Sequence, residues 1–161
     1  MRHDALIGLG GNLGDVAATF RAALARLEAG GVDVIARSSI WKTPPWGKTD
    51  QPAFLNACVR VETTLSPHDL LALCLSIETA LGRVRTEKWG PRTLDLDLLD
   101  VAGVTLATPD LTLPHPFVAE RAFVLAPLAE IVPDRRVGGR TVAAMLAAID
   151  TAGLEPIGPL A

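Results

Sequence analysis

The chain has 161 residues and a formal net charge of −3, with 49% hydrophobic and 20% charged residues and a mean hydropathy of +0.32. A chain this apolar offsets its ordering entropy by burial, which excludes intrinsic disorder. The mild negative charge argues against a basic nucleic-acid-binding surface, so we expect no nucleic-acid partner. No run of 18 apolar residues and no secretory signal is present, so we expect no membrane contact and one domain spanning 1–161.

The two cysteines, Cys58 and Cys74, both lie in apolar stretches. Two cysteines are too few for a disulfide framework, and we interpret them as buried free thiols. A reducing compartment suits such thiols, so we expect a cytoplasmic protein that works as a monomer.

Hydrophobic periodicity and turn residues predict the elements in chain order. They are a strand over 5–9, a helix over 16–29 capped by Asp15, one strand over 32–42, a loop over 43–52, a strand over 54–64, a helix from Pro67 to about 81 capped by Ser66, and a strand over 93–101. Residues 104–107 are expected to pair with that last strand as a hairpin. Helix is predicted over 117–130 with a break near Pro127, and again over 141–149, with the end of the chain read as a tail. The order β-α-β-β-α-β is that of a split βαβ sandwich, which indicates an α+β fold.

The strand over 93–101 carries two aspartates, Asp95 and Asp97, among leucines. Alternate side chains of a strand share a face, so both carboxylates point the same way with Cα atoms about 6.6 Å apart. Two carboxylates at that spacing suit a pair of hard cations such as Mg²⁺. The alternative is an ordinary solvent-facing edge of an amphipathic strand.

Four basic residues come just before this strand, with Trp89 among them. They are Arg83, Arg85, Lys88 and Arg92. Arginine binds phosphate oxygens in bidentate fashion, and Mg²⁺ bridges phosphate to carboxylate, so the combination indicates a nucleotide polyphosphate site. A solvated charged loop is the alternative.

Two further segments carry candidate site residues. The proline-rich loop with Thr43, Pro44 and Trp46, followed by Phe54 and Asn56, offers aromatic faces and amide groups that suit a flat heterocycle. The segment with His115, Arg121 and Phe123 could add a polyphosphate contact. For the proline-rich segment, the alternative is a set of core aromatic residues with a rigid turn. For the second segment, the alternative is a structural role for the histidine.

Three familiar signatures are absent from the sequence. The glycines at 8–14 lack the third glycine of a dinucleotide fingerprint, and Gly47-Lys48-Thr49 lacks the first glycine of a P-loop. No histidine–cysteine grouping predicts a zinc site.

Motifs along most of the chain resemble those of the 6-hydroxymethyl-7,8-dihydropterin pyrophosphokinases, a family of folate-pathway enzymes. The matching motifs are Gly10-Gly11-Asn12-Leu13-Gly14-Asp15, Thr43-Pro44-Pro45, Leu55-Asn56, Gly82-Arg83-Val84-Arg85, Trp89-Gly90-Pro91-Arg92-Thr93-Leu94-Asp95-Leu96-Asp97, and Pro114-His115 with Arg121. The segment from Trp89 to Asp97 is the most specific of them.

The resemblance implies a ferredoxin-like fold, an antiparallel sheet with helices on its faces, and transfer of pyrophosphate from MgATP to the dihydropterin with release of AMP. It implies that Asp95 and Asp97 hold two Mg²⁺ ions and that Arg83 and Arg92 stabilise the transferring group. Nucleotide contacts then fall on Glu78, Arg85, Trp89, Arg92, Leu98, Thr112, His115 and Arg121. Pterin contacts fall on Thr43, Pro44, Trp46, Phe54, Asn56 and Phe123.

Several residues depart from the family pattern, among them Gly11, where serine is usual, and Trp46, which replaces a smaller apolar residue. Leu75 stands where some relatives have a polar ATP contact, Asp110 where some have arginine, and Pro116 where others have an aromatic residue. Two other functions also fit the residues alone. An Asp-x-Asp strand in such a sandwich also serves metal-dependent nucleotidyltransferases, and the fold plan also serves non-catalytic small-ligand regulatory modules.

Overall fold

The computed structural model describes residues 2–43, 52–82 and 93–160, which form both strands and helices. The strands are β1 (His3–Gly11), β2 (Val32–Arg37), β3 (Ser39–Thr43), β4 (Phe54–Thr63), β5 (Asp95–Val101), β6 (Leu106–Ala107), β7 (Thr112–Leu113), β8 (Arg136–Val137), β9 (Arg140–Thr141) and β10 (Glu155–Pro159). The helices are α1 (Val16–Ala29), α2 (Pro67–Ala80), α3 (Ala122–Ile131) and α4 (Val142–Ala147), with a 3₁₀ turn at Val118–Glu120.

The first two helices begin at the predicted caps. The side chain of Asp15 accepts a hydrogen bond from the Ala18 amide at 3.1 Å, and that of Ser66 accepts one from the Asp69 amide at 3.2 Å. Each cap pairs a backbone N–H that the first helical turn leaves without a partner, which is worth about 1 kcal/mol.

The main sheet is antiparallel, and its strand order within the described residues is β10-β3-β4-β1-β5, with β2 also paired to β4. Alternate residues of the central strand β1 enter two cores. Ala5, Ile7 and Leu9 pack with α1 and α2, whereas Leu6 packs with α3 and α4. Helices therefore cover both faces of the sheet, which is the predicted ferredoxin-like α+β sandwich.

The single strand predicted over 32–42 is wrong, because the chain breaks at Ser38 into β2 and β3. The Ser38 amide donates to the Cys58 carbonyl, and its hydroxyl accepts from the Cys58 amide at 2.9 Å and donates to the Ser39 carbonyl at 2.7 Å. The hydroxyl of the buried Ser38 thus bonds backbone groups that pair with each other in a regular β-ladder. Both halves still pair with β4, β3 near Phe54 and β2 near Thr63.

The hairpin predicted between 104–107 and β5 is also wrong. Strand β6 pairs with β7 instead, with Leu106 opposite Leu113. The outer edge of β5 is met by the segment after β7, where the His115 amide donates to the Leu99 carbonyl at 2.8 Å. This pairing brings His115 to the strand that carries the two aspartates.

Two predictions for the last third need correction. Pro127 lies inside α3 and does not break it; the helical region is interrupted at Arg121, which has an extended backbone between the 3₁₀ turn and α3. The segment 155–159, expected to be part of a tail, is the edge strand β10, which pairs with β3. Helix α4 is shorter than the predicted 141–149.

Candidate active site

Asp95 and Asp97 lie on the sheet face that α3 and α4 only partly cover. Leu94, Leu96 and Leu98 are buried against α1 and α2, so the alternating aspartates point to the other face. In the register with β1, Asp95 is opposite Gly10 and Asp97 is opposite Gly8. The two carboxylates thus share one face, as the sequence pattern predicts.

The glycines of β1 leave the middle of this face without side chains. Gly8 lies between Asp97 and Cys58, and Gly10 lies between Asp95 and Asn56. A Cβ atom on Gly10 would come within 3.0 Å of the Asn56 Oδ1 atom, closer than Cβ contacts normally allow. Gly8 and Gly10 therefore form a shallow floor, with the Asp97 and Asp95 carboxylates on one side and the Asn56 amide on the other.

The amide of Asn56 is held in place by Thr43 of the neighbouring strand. Its Nδ2 atom donates to the Thr43 hydroxyl at 3.2 Å, and both side chains are buried. Phe54 is opposite Thr43 and is half-buried. The structure thus brings together Thr43, Asn56 and Phe54, which are three of the residues expected to bind the heterocycle.

Phe123 approaches the same face from α3. The Val124 carbonyl accepts a hydrogen bond from the Cys58 thiol at 3.6 Å, so the first turn of α3 lies over β4. Burial raises the pKa of the Cys58 thiol far above its ordinary value, with Asp97 and Glu130 adding to the effect, so the thiol stays protonated. Pro44 and Trp46, also expected here, lie outside the described residues.

A cavity of about 310 Å³ lies along the outer edge of β5, between α2 and the segment 109–116. Five of the expected site residues line it: Glu78, Asp97, Leu98, Thr112 and His115. Seven others also line it: Leu71, Leu75, Leu96, Pro109, Asp110, Leu111 and Pro116. Leucines and prolines make up most of the lining, and three acidic residues, Glu78, Asp97 and Asp110, also line the cavity.

Sequence reasoning could have found part of this additional lining. Leu71, Leu75 and Glu78 are spaced four and three apart, so they share one face of α2. Leu75, Asp110 and Pro116, three of the residues that depart from the family pattern, also line the cavity. Pro109 and Leu111 had no such signal, because the position of their segment depends on the β6–β7 pairing.

Glu78 is buried in the wall of the cavity, with 4% of its surface exposed. Its Oε2 atom accepts a hydrogen bond from the Leu96 amide at 2.7 Å. The carboxylate therefore satisfies a backbone donor on the outer edge of β5, between the two aspartates.

His115 presents one defined nitrogen to its surroundings. The Phe117 amide donates to the His115 Nδ1 atom at 3.2 Å, so in the neutral ring Nε2 carries the hydrogen. Burial lowers the pKa of His115, and the nearby Arg121 guanidinium lowers it further. His115 is thus a neutral hydrogen-bond donor at pH 7.

Arg121 lies between two aromatic rings. Its guanidinium carbon is 5.4 Å from the Phe117 ring centroid and 5.8 Å from that of Phe123. Such cation–π contacts orient the guanidinium while leaving its N–H groups able to bind an anion. Arg121 thus lies near both His115, which was expected to contact the nucleotide, and Phe123, which was expected to contact the heterocycle.

Besides Pro44 and Trp46, four expected site residues lie outside the described residues: Arg83, Arg85, Trp89 and Arg92. Within 2–43, 52–82 and 93–160, no three His, Cys, Asp or Glu side chains cluster in a way that could hold a metal ion. In the same ranges no helix is long and apolar enough to cross a membrane.

Comparison with known proteins places this geometry in one family. The family model of 7,8-dihydro-6-hydroxymethylpterin-pyrophosphokinase (HPPK) matches residues 6–133. A Methylorubrum extorquens protein named 2-amino-4-hydroxy-6-hydroxymethyldihydropteridine pyrophosphokinase is 54% identical over 154 residues, covering 95% of this chain and 98% of its own. The Bacillus subtilis protein of that name is 48% identical over 132 residues, covering 81% of this chain and 79% of its own.

Solved structures agree on the fold. The crystal structure of Plasmodium falciparum HPPK-DHPS wild type with pteroate has a TM-score of 0.75 at 15% identity. The match covers 92% of this chain but 42% of that one, so this chain spans less than half of that protein. With the family model covering most of the chain and with relatives at 54% and 48% identity, the chain belongs to the 7,8-dihydro-6-hydroxymethylpterin-pyrophosphokinase family.

Proposed function

We propose that this protein transfers pyrophosphate from MgATP to the hydroxymethyl group of 6-hydroxymethyl-7,8-dihydropterin and releases AMP, a step of folate biosynthesis. One observation carries this proposal beyond family membership. Asp97 lines the cavity at the edge of β5, while Asp95 lies in one row with Gly10 and Asn56. A triphosphate that leaves the cavity therefore crosses both carboxylates before it reaches the Asn56 amide.

The nucleoside part of ATP fits the cavity between α2 and segment 109–116. Leu98 and Thr112 line that cavity, with the Glu78 carboxylate in its wall. The Nε2–H group of His115 and the guanidinium of Arg121 supply donors for phosphate oxygens. Arg85 and Trp89 add contacts over ATP in this proposal, as the family resemblance implies.

The pterin fits the face beside β3 and β4. Asn56 offers donor and acceptor atoms to the polar edge of the ring, and its bond to Thr43 fixes its orientation. Phe54 and Phe123 supply flat faces for stacking. Pro44 and Trp46 complete the rim in this proposal.

The donor set at the aspartates suits Mg²⁺. Mg²⁺ takes oxygen ligands, and it is commonly held by one or two carboxylates together with substrate phosphates and water. Asp95 and Asp97 supply two such carboxylates on one face, so we propose that they hold two Mg²⁺ ions when ATP is bound. Held there by Asp95 and Asp97, the ions would neutralise the charge of the phosphates.

The reaction needs positioning and charge stabilisation more than covalent help from the protein. The hydroxymethyl oxygen attacks the β-phosphorus of ATP, the bond from that phosphorus to the α–β bridging oxygen breaks, and AMP leaves. The hydroxyl proton passes to solvent. Arg83 and Arg92 stabilise the charge of the transferring group, and the described residues hold the two substrates in line.

The released nucleotide tests the proposal. The protein is incubated with ATP, Mg²⁺ and 6-hydroxymethyl-7,8-dihydropterin, and the products are separated by ion-exchange chromatography. AMP formed in equal amount to a pyrophosphorylated pterin is the expected result. ADP would show ordinary phosphoryl transfer, free pyrophosphate with a nucleotidyl-modified product would show a nucleotidyltransferase, and binding without turnover would show a regulatory module.

We also propose that the protein works as a monomer in the cytoplasm, with no nucleic-acid partner. Its described cysteines, Cys58 and Cys74, are free and buried, which suits a reducing compartment. Size-exclusion chromatography with light scattering tests the monomer, and a mass near twice 17.0 kDa would refute it.

A further inference from the structure

The carboxylate of Glu130, in the last turn of α3, binds two alternate residues of β3, Ser39 and Trp41. It accepts hydrogen bonds from the Ser39 amide at 3.1 Å, the Ser39 hydroxyl at 2.8 Å and the Trp41 Nε1 atom at 2.5 Å. Glu130 is 91 and 89 residues from these partners along the chain. The contact is therefore a tertiary tie between a helix and a strand.

Three contacts show how α3 crosses the sheet. Near its start, Arg121 lies beside His115, whose amide is bonded to β5. One turn later, the Val124 carbonyl contacts Cys58 of β4. At its end, Glu130 reaches β3. The helix thus runs across the strands from β5 to β3, and Glu130 anchors its far end.

Glu130 and Phe123 lie on the same side of α3. They are seven residues apart, which is about two turns and about 10.5 Å along the axis. Glu130 reaches Trp41, and Trp41 is opposite Asn56 in the row that continues through Gly10 to Asp95. The side of α3 that carries both residues therefore faces the Asn56 row.

We propose that Glu130 is a positioning residue for the pterin subsite, a role that rests on the function proposed above. Its hydrogen bonds join Ser39 and the Trp41 indole of β3 to α3, and they thereby fix α3 relative to the sheet. Through α3 they set the distance between the Phe123 ring and the Asn56–Thr43 pair. Glu130 itself makes no contact with the substrate.

Loss of the tie should weaken pterin binding selectively. In the Glu130→Ala variant, the Phe123 ring is no longer held at a fixed distance from Asn56. The pterin must then order this ring as it binds, and the cost of that ordering lowers the binding affinity. We expect the dissociation constant of 6-hydroxymethylpterin and the KM for the dihydropterin to rise about tenfold. The KM for ATP and kcat should stay within about twofold, because the cavity beside α2 and β5 does not include Glu130.

Partial removals of the same tie sharpen the test. Trp41→Phe deletes the Nε1–H donor but keeps an aromatic ring, and it should raise the pterin KM by a smaller factor. Glu130→Gln keeps one acceptor oxygen, so it should restore part of the affinity lost in Glu130→Ala. Glu28→Ala is the matched control, because Glu28 is in the last turn of α1 and contacts Arg37 of β2 at 3.5 Å, in the helical layer on the opposite face.

Equilibrium titration of the fluorescent oxidised pterin, with melting temperatures measured in parallel, separates the outcomes. Wild-type protein that binds no pterin refutes the proposed function. Pterin binding and turnover in the wild type with unchanged pterin affinity in Glu130→Ala overturns the positioning role alone. Equal loss of pterin and ATP affinity shows a general structural effect and also overturns it. If Glu130→Ala does not fold, Trp41→Phe and Glu130→Gln decide by the same criterion.

Discussion

Glu78 accepts a hydrogen bond from the backbone amide of Leu96 at 2.7 Å, and Leu96 separates the two aspartates of β5. The amide lies on the outer edge of the strand, where β5 has no neighbour in the described part of the main sheet. The buried Glu78 carboxylate thus accepts the hydrogen bond that a backbone carbonyl of a neighbouring strand would accept in the interior of a sheet. This relationship connects the wall of the cavity beside β5 to the strand that carries Asp95 and Asp97.

Replacing Glu78 should therefore affect both stability and the metal requirement. Glu78→Ala leaves the Leu96 amide without this acceptor, and an unpaired buried donor costs about 1–3 kcal/mol in the free energy of unfolding. The Mg²⁺ concentration for half-maximal turnover should rise, because β5 is held less firmly. Urea unfolding and a Mg²⁺ titration of AMP release measure the two effects. Glu78→Gln retains an acceptor oxygen and should behave closer to wild type; identical behaviour of the two variants would contradict this role.

Asp97→Asn should lower kcat by about 10²–10³-fold while the protein stays folded. Asp97 lies on the polar face of β5 rather than among the buried leucines, and asparagine keeps its size and one of its oxygens. Wild-type protein should gain melting temperature from MgATP through preferential binding to the folded state, and the variant should lose most of that gain. Asp134→Asn, in an exposed loop, is the control. A fully active Asp97→Asn enzyme would remove this aspartate from the metal site.

Gly10→Ala should impair the pterin side of the site. The new Cβ atom would lie 3.0 Å from the Asn56 Oδ1 atom, so Asn56 must shift away from its bond to Thr43. We expect the KM for the dihydropterin to rise about tenfold and stability to fall by about 1–2 kcal/mol from overpacking. Gly8→Ala is the stability control, since its Cβ would be in ordinary contact with Leu99 at 3.5 Å. Equal stability of the two variants would show that Asn56 moves freely.

Arg83→Ala should lower kcat by about 10³-fold while ATP affinity changes little. An arginine that acts on the transferring group stabilises the transition state more than the bound substrate. Calorimetric titration with ATP and steady-state kinetics separate the two quantities. Arg26→Ala, in α1, serves as the control for removing a positive charge. An unchanged kcat would exclude Arg83 from the catalytic group.

Arg135 joins two carboxylates at the end of the sheet away from the site. It donates to Asp4 at 2.6 Å and to Asp100 at 3.0 Å. Burial alone would raise the pKa of Asp4, but hydrogen bonds from Arg60 and Arg135 outweigh it and hold that pKa below its ordinary value. For Asp100, burial dominates and raises the pKa, and Arg135 opposes the effect.

Arg135→Ala should therefore destabilise the protein in a pH-dependent way. At pH 7 the variant leaves two ionised carboxylates without this partner, at a cost of about 2–4 kcal/mol, less than for a fully buried pair because the Asp4 side chain is 26% exposed. A depressed pKa contributes stability above the unfolded pKa of about 4 and loses it as pH falls through the lower folded value. The Asp4 share of the difference from wild type should hence shrink below pH 4, whereas the Asp100 share should already shrink at higher pH, because burial raises the pKa of Asp100. Arg136→Ala is the control, and a difference independent of pH would contradict the ion-pair explanation.

Local patterns predicted much of the fold. Alternation in β5 placed the leucines in the core and the aspartates on the other face, and the caps at Asp15 and Ser66 marked the starts of two helices. These features depend on neighbours within one or two turns or strand residues, so the sequence alone carries them. The family motifs were as informative, because a run such as 89–97 is rarely met by chance.

The long-range arrangement of the site could not be predicted in this way. The break at Ser38 follows from its bonds to Cys58, and the position of His115 follows from its pairing with Leu99. The tie from Glu130 to Trp41 had no signal in the sequence, since a surface glutamate and a strand tryptophan are unremarkable by themselves. Each of these contacts joins residues far apart in the chain.

Residue types and their alternation along the chain thus determined that two carboxylates share a strand face, because side-chain direction in a strand is set by backbone geometry alone. Only the tertiary structure decided where the cavity beside β5 lies, how α3 crosses the sheet and which groups hold Asn56, Glu78 and Phe123. Those features arise from the packing of separate elements on one sheet, whose outcome depends on all of them together.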